Sequence, residues 1–239
     1  MWWALAGAGA VGTAAGAAWA VRGRSSSVCA PSIWRVGSGR PALALTFDDG
    51  PSESTPAILE LLAKYGARAT FFQIGANAER LPAIARAVSA AGHEIGNHTF
   101  SHPRLWLRGE RFIESEVGRA QRALQAIHNA TAPPRLFRAP YGVRWPGLGA
   151  VQARHGLLGV MWTAIGSDWS ASAESVVARL EPSLEPGSIL CLHDGRELTV
   201  QPDIETTLEA LRHILPAVGD RGLACLTVSE LLSQPRETP

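Results

Sequence analysis

The sequence predicts an α/β fold: a distorted (β/α)7 barrel of parallel strands with helices packed around it. Three observations carry this. Seven short runs are apolar on both faces, as strands covered by helices must be. Segments of helical period separate them. Polar clusters follow five of the runs, where parallel barrels place their chemistry. The 239 residues suit one large domain, and 46% apolar residues suffice for a buried core. An open doubly wound sheet is the competing arrangement.

The chain begins with "MWWALAGAGAVGTAAGAAWAV", which has no charged side chain before Arg22. It is long enough to span a bilayer, and Ala18-Trp19-Ala20 matches a small-x-small cleavage site. Residues 1–21 are therefore expected to be a signal peptide or membrane anchor, with an extracytoplasmic destination: secreted, periplasmic or anchored. Arg22 and Arg24 on the far side argue for the opposite orientation. Residues 22–40, rich in Ser, Gly and Arg, read as a linker, and 41–233 as the folded domain.

The first strand run, 41–47 (PALALTF), is followed by Thr55-Pro56, which suits an N-cap with Pro at the first helical position. Run 68–74 (RATFFQI) precedes a short helix marked by Leu81, Ile84 and Val88. Run 92–97 (GHEIGN) comes before a longer helix over 109–128, where Ile113, Val117, Ala120, Leu124 and Ile127 step by four and three. Runs 135–138 (RLFR), 157–163 (LLGVMWT) and 187–192 (GSILCL) follow. A helix over 203–217, with Ile204, Leu208, Leu211 and Leu215 on one face, leads to the last run, 222–228 (GLACLTV). Residues 234–239 form a C-terminal tail.

The formal net charge of +1 gives no nucleic-acid footprint, and no obligate protein partner is evident. Three widely spaced cysteines form no disulfide framework and no cysteine zinc site. Cys191 and Cys225 lie in apolar runs and read as buried thiols.

The reactive residues fall at the ends of runs. Asp48 and Asp49 end the first, and His98 and His102, in "GNHTFSHP", follow the third. If "HTFSH" makes a helical turn, both imidazoles point the same way. With Asp49 they complete the three-ligand set of a catalytic zinc or similar divalent ion. The alternative is a helix-capping histidine and a surface histidine before Pro103. Asp48, left free, suits a general base, although D-G-P also favours a simple turn. Arg138 ends the fourth run and would pair with Asp48, or else is a surface arginine. Tyr141 lies in a Pro-Tyr-Gly turn whose N–H could face a developing oxyanion. His193 ends the sixth run; Asp168 would hold it charged as a general acid, or it is a core histidine bonded to a carbonyl. Trp145, Trp162 and Trp169 read as core or pocket wall. His93, His128, His155 and His213 read as structural.

These motifs, "TFDDGP", "HTFSH", "RAPYG", "DW" and "LCLH", resemble in order and spacing those of the polysaccharide deacetylase family, the NodB-like carbohydrate esterases. The resemblance spans residues 40–232. It implies a distorted (β/α) barrel and one divalent metal, most often zinc, with cobalt, nickel or manganese as alternatives. The implied reaction removes N-acetyl groups from an N-acetylglucosamine-containing glycan of chitin or peptidoglycan type. Two rivals are an O-acetyl esterase acting on a xylan-like glycan and a non-catalytic glycan-binding relative. The resemblance also implies roles: Asp49, His98 and His102 as metal ligands, Asp48 as base, Arg138 as its partner, and the Tyr141 backbone at the oxyanion. His193 would be the acid tuned by Asp168, with Trp169 and Leu192 lining the acetyl pocket. Many relatives carry an acidic residue where this chain has Ile165.

Overall fold

The computed structural model describes residues 15–37, 39–129 and 131–233. The expected export or anchor segment therefore lies largely outside the described residues, and the tail 234–239 wholly so. No helix among the described residues is long and apolar enough to cross a membrane.

Among the described residues nine strands form one parallel sheet, curled into a partial barrel. Its order is β1 (Ser32–Ile33), β6 (Leu158–Val160), β5 (Leu136–Phe137), β4 (Glu94–Asn97), β3 (Ala69–Gln73), β2 (Ala42–Asp48), β8 (Ile189–His193) and β7 (Ala164–Ile165). The last strand, β9 (Ala224–Leu226), pairs with the start of β2. All seven expected runs contain a strand. Two further strands, β1 and β7, have two residues each, too few for a period to show in sequence.

The run 157–163 holds only β6, which ends at Val160; after a break at Met161–Thr163 the chain resumes as β7 at Ala164. Residues 22–40 also differ from a free linker. Ser32 and Ile33 add to the sheet beside β6, while Ala30 and Val36 are buried in apolar clusters.

Helices cover the sheet. The first, α1, spans residues 15–22. It is followed by α2 (Thr55–Lys64), α3 (Gly75–Arg80), α4 (Pro82–Ala90), α5 (Glu110–Ile127) and α6 (Leu148–His155). Then come α7 (Ala173–Leu180), α8 (Glu205–Asp220) and α9 (Val228–Leu232). The two long amphipathic faces expected from sequence form α5 and α8. At α2 the cap is Ser54, not Thr55. Thr55 is turned to another use: its hydroxyl accepts from the Ser52 N–H (2.9 Å) and donates to Asp194 Oδ2 (2.7 Å).

Strand alternation decides which side chains reach the barrel interior. On β2, Leu43, Leu45 and Phe47 join the apolar layer beneath α2 and α8. Ala42 and Ala44 belong to a second cluster with Phe72, Ile189, Val228 and Leu231. Thr46 and Asp48 continue that second face. On β8 the same alternation sends Leu190 and Leu192 outward and sets Cys191 beside Asp48. The C-terminal ends of β2 and β8 thus converge, with Asp48 and His193 in register.

Candidate active site

Asp48 is 4% exposed and ends β2 beside a fully buried arginine. Arg138 Nη1 donates to Asp48 Oδ1 at 2.7 Å and to the Thr46 hydroxyl at 2.8 Å. The rest of the guanidinium is held by the carbonyls of Val160 (3.0 Å) and Met161 (3.2 Å), and its carbon lies 4.2 Å from the Phe72 ring centroid. A buried cation anchored at all three nitrogens holds the Asp48 carboxylate in place. The Cys191 thiol approaches the other oxygen, at 3.6 Å from Asp48 Oδ2.

One residue on, Asp49 leaves the strand with φ of 72°, which swings its carboxylate away from that of Asp48. Asn77 Nδ2 donates to its carbonyl (2.8 Å) and the Glu197 N–H to its Oδ2 (3.0 Å). Gly195 closes over this turn so tightly that a Cβ there would sit 2.4 Å from the Asp49 carbonyl oxygen.

The two histidines meet Asp49, though not through a helical turn. The loop after β4 is irregular, and Thr99 (φ 66°) and His102 (φ 55°) are both left-handed. Side chains anchor it to α5: Asn97 donates to Gln121 Oε1 (2.8 Å), and Ser101 bonds the Glu116 carboxylate. His98 Nε2 and His102 Nε2 both approach Asp49 Oδ1, at 3.4 and 3.2 Å. The ligand-type atoms of the three residues lie within 4.8 Å of one another.

This donor set suits a divalent ion: two imidazoles and one carboxylate, all buried. His98 Nδ1–H donates to the Arg138 carbonyl at 2.8 Å, which leaves Nε2 as the free lone pair. His102 Nδ1 has no protein partner. Burial, more than anything else, holds the His102 pKa down at about 4 against the pull of Asp49, so its imidazole is neutral and able to ligate.

Across the cleft, His193 Nδ1 bonds Asp168 Oδ1 at 2.8 Å. Asp168 Oδ2 accepts from the His193 N–H (2.9 Å) and the Thr207 hydroxyl (2.6 Å). Burial alone would lower the His193 pKa, but Asp168, with smaller contributions from Asp49 and Asp48, outweighs it and raises it to about 9. The Trp169 ring meets the imidazole edge-on, with centroids 4.9 Å apart.

These groups line a cleft of about 570 Å³ whose walls include Tyr141, Trp162, Ile165 and Trp169. Tyr141 has φ of 58°, its ring lies 4.7 Å from that of His102, and its hydroxyl donates to Glu197 at 2.7 Å. Trp145 is instead packed against an apolar cluster with Phe137 and Leu148.

Nine of the ten residues expected at the site gather here. Leu192 departs from expectation. Its outward position on β8 puts it, fully buried, in the apolar layer, and it is not among the cleft walls.

Glu197, which braces both Asp49 and Tyr141, went unread in the sequence, as did Asn77. Neither carries a motif, and each reaches the site from a distant loop or helix. Of the remaining histidines, His93 accepts from the Ala69 N–H and packs on Phe71, and His128 and His155 bond Gln73 and Glu114.

Comparison with known proteins agrees with this geometry. Residues 35–160 match the family profile described as "Polysaccharide deacetylase". A chitooligosaccharide deacetylase of Sinorhizobium fredii is 40% identical, the match covering 80% of this chain and 92% of the relative. A peptidoglycan-N-acetylglucosamine deacetylase of Bacillus cereus is 34% identical over 83% of this chain and 92% of its own length. Among solved structures, the Bc1960 peptidoglycan N-acetylglucosamine deacetylase superposes with a TM-score of 0.77 at 29% identity, covering 86% of this chain and 94% of that one.

Proposed function

Because the chain belongs to the polysaccharide deacetylase family, we propose that it is a hydrolase removing N-acetyl groups from an N-acetylglucosamine-containing glycan of chitin or peptidoglycan type. The observation that carries this is the pairing of two carboxylates with separate tasks. Asp49 faces two imidazoles, and Asp48, one residue away, faces a buried arginine.

A divalent ion held by Asp49, His98 and His102, zinc in this reading, supplies Lewis acidity at the acetamide carbonyl. Asp48, oriented by Arg138, accepts a proton from the attacking water. As the new C–O bond forms and the C–N bond breaks, His193 gives its proton to the departing amine, and acetate remains. Asp168 keeps His193 charged and oriented. The backbone N–H of Tyr141 stabilises the oxyanion, and Trp169 flanks the acetyl methyl. In the same reading residues 1–21 direct the chain out of the cytoplasm or anchor it, and residues 41–233 form the catalytic domain.

The test is acetate release from N-acetylglucosamine oligomers, acetyl-xylan and peptidoglycan fragments, with and without chelator. The N-acetylated glycans are the expected substrates, and chelator should abolish turnover. Asp48→Asn should lower kcat at least about 10²-fold while metal content by elemental analysis stays at wild type; His98→Ala should lose the metal itself. Full activity of Asp48→Asn would overturn the base assignment.

A further inference from the structure

One residue of the cleft wall comes from ahead of the family match. The match begins at residue 35, yet Arg22, at the end of α1, lines the same cleft as Asp48 and His193. The segment that carries it is fastened to the barrel. Arg144, 2% exposed, donates from its N–H to the Val21 carbonyl (3.0 Å) and from its guanidinium to the carbonyls of Gly23 and Ser26. Arg24 donates to the Thr163 carbonyl and lies 5.1 Å from the Trp34 ring centroid. Residues 21–26 thus form a strap bound over the break between β6 and β7, a defined wall rather than a passing tether.

The charges lining the cleft are unequally satisfied. Asp48 is paired with Arg138, Asp49 faces the histidines, and Glu197 accepts from Tyr141. Arg22 has no carboxylate partner among the described residues. Arg196, also on the wall, spends its guanidinium only on the carbonyls of Trp169 and Asp203. Two guanidiniums with no carboxylate partner among the described residues face the space a glycan would fill. Guanidinium favours carboxylate and phosphate through paired, charge-assisted hydrogen bonds.

We propose that the strap residue Arg22, seconded by Arg196, makes this cleft selective for glycans bearing an anionic group on a sugar neighbouring the acetylated one. The proposal deepens the deacetylase reading and rests on it for the reaction. The shared chemistry is an oxyanion, which a carboxylate-bearing sugar or a phosphate ester could supply.

The test compares three N-acetylglucosamine tetramers with the full chain: unmodified, with alternate sugars bearing a carboxylate ether, and with a phosphate monoester. The variants are Arg22→Gln and Arg22→Lys; the Arg22 side chain is exposed. The expected result is that Arg22→Gln raises KM about tenfold for at least one charged tetramer and less than twofold for the neutral one, with kcat unchanged and partial recovery in Arg22→Lys. Which charged tetramer responds identifies the source of the oxyanion. Equal losses on all three, or no loss on any, would overturn the proposal. Calorimetric binding of the same tetramers in the Asp48→Asn background separates the two readings. If no acetate is released from any tetramer yet binding still discriminates through Arg22, the deacetylase reading fails and the anion site stands.

Discussion

Asp168 and His193 show how a single contact sets a proton's availability. The ordinary pKa of histidine is 6.5, and in this site it rises to about 9. A group with a raised folded pKa adds stability that is complete below about 6.5 and is lost as pH rises through about 9. Activity requiring protonated His193 should therefore hold to about pH 9 and fall above it. In Asp168→Asn the main opposing charge is gone, burial dominates, and the alkaline limb of kcat/KM should move down toward 6.5. A limb that stays near 9 in that variant would show that Asp168 does not govern the proton. Arg138 offers a second test at this scale. Its removal leaves Asp48 as a buried, uncompensated charge, so Arg138→Ala should cost roughly 3–5 kcal/mol in urea unfolding, as breaking a buried pair generally does. A loss below about 1 kcal/mol would mean that water replaces the guanidinium.

At the scale of elements, what could be read from sequence follows from how many residues state the same message. The long helices α5 and α8 repeat their apolar step over four or more turns, and β2 and β8 are unbroken apolar runs; all four were legible. Strands β1 and β7 have two residues each and exist because neighbouring strands receive them. The turn of HTFSH was misread because Thr99 and His102 adopt positive φ, which side-chain type does not announce. The histidines still converge, held by contacts to α5 that spacing cannot show. Leu192 was misplaced by one step of strand alternation, since the register of β8 sends its neighbours Cys191 and His193 inward instead. At the opposite end of the barrel, α9 inserts Val228 and Leu231 into the interior cluster. Its start is a capping box, in which Thr227 Oγ1 accepts from the Glu230 N–H and the Glu230 carboxylate accepts from the Thr227 N–H. Thr227→Ala should cost about 1 kcal/mol in unfolding free energy and leave kcat/KM unchanged; an equal fall in activity would show that the two ends of the barrel are coupled.

For the whole molecule, the candidate metal site joins loops that are far apart in the chain: Asp49 follows β2, and His98 and His102 follow β4. An ion bound there stabilises the folded state by mass action, about 2.7 kcal/mol at a hundredfold excess over its Kd. Chelator-treated protein should accordingly melt at a lower temperature and recover on adding zinc. His98→Ala should show no such recovery; if it does, the ion binds elsewhere. The barrel itself should survive chelation, because its apolar clusters do not involve the three ligands.

Residue 138 serves two masters. Its side chain grips Asp48 while its carbonyl steadies the His98 ring. A change of backbone position at the end of β5 therefore reaches Asp48 and His98 together, and a substitution that shifts residue 138 should disturb both sides of the cleft at once.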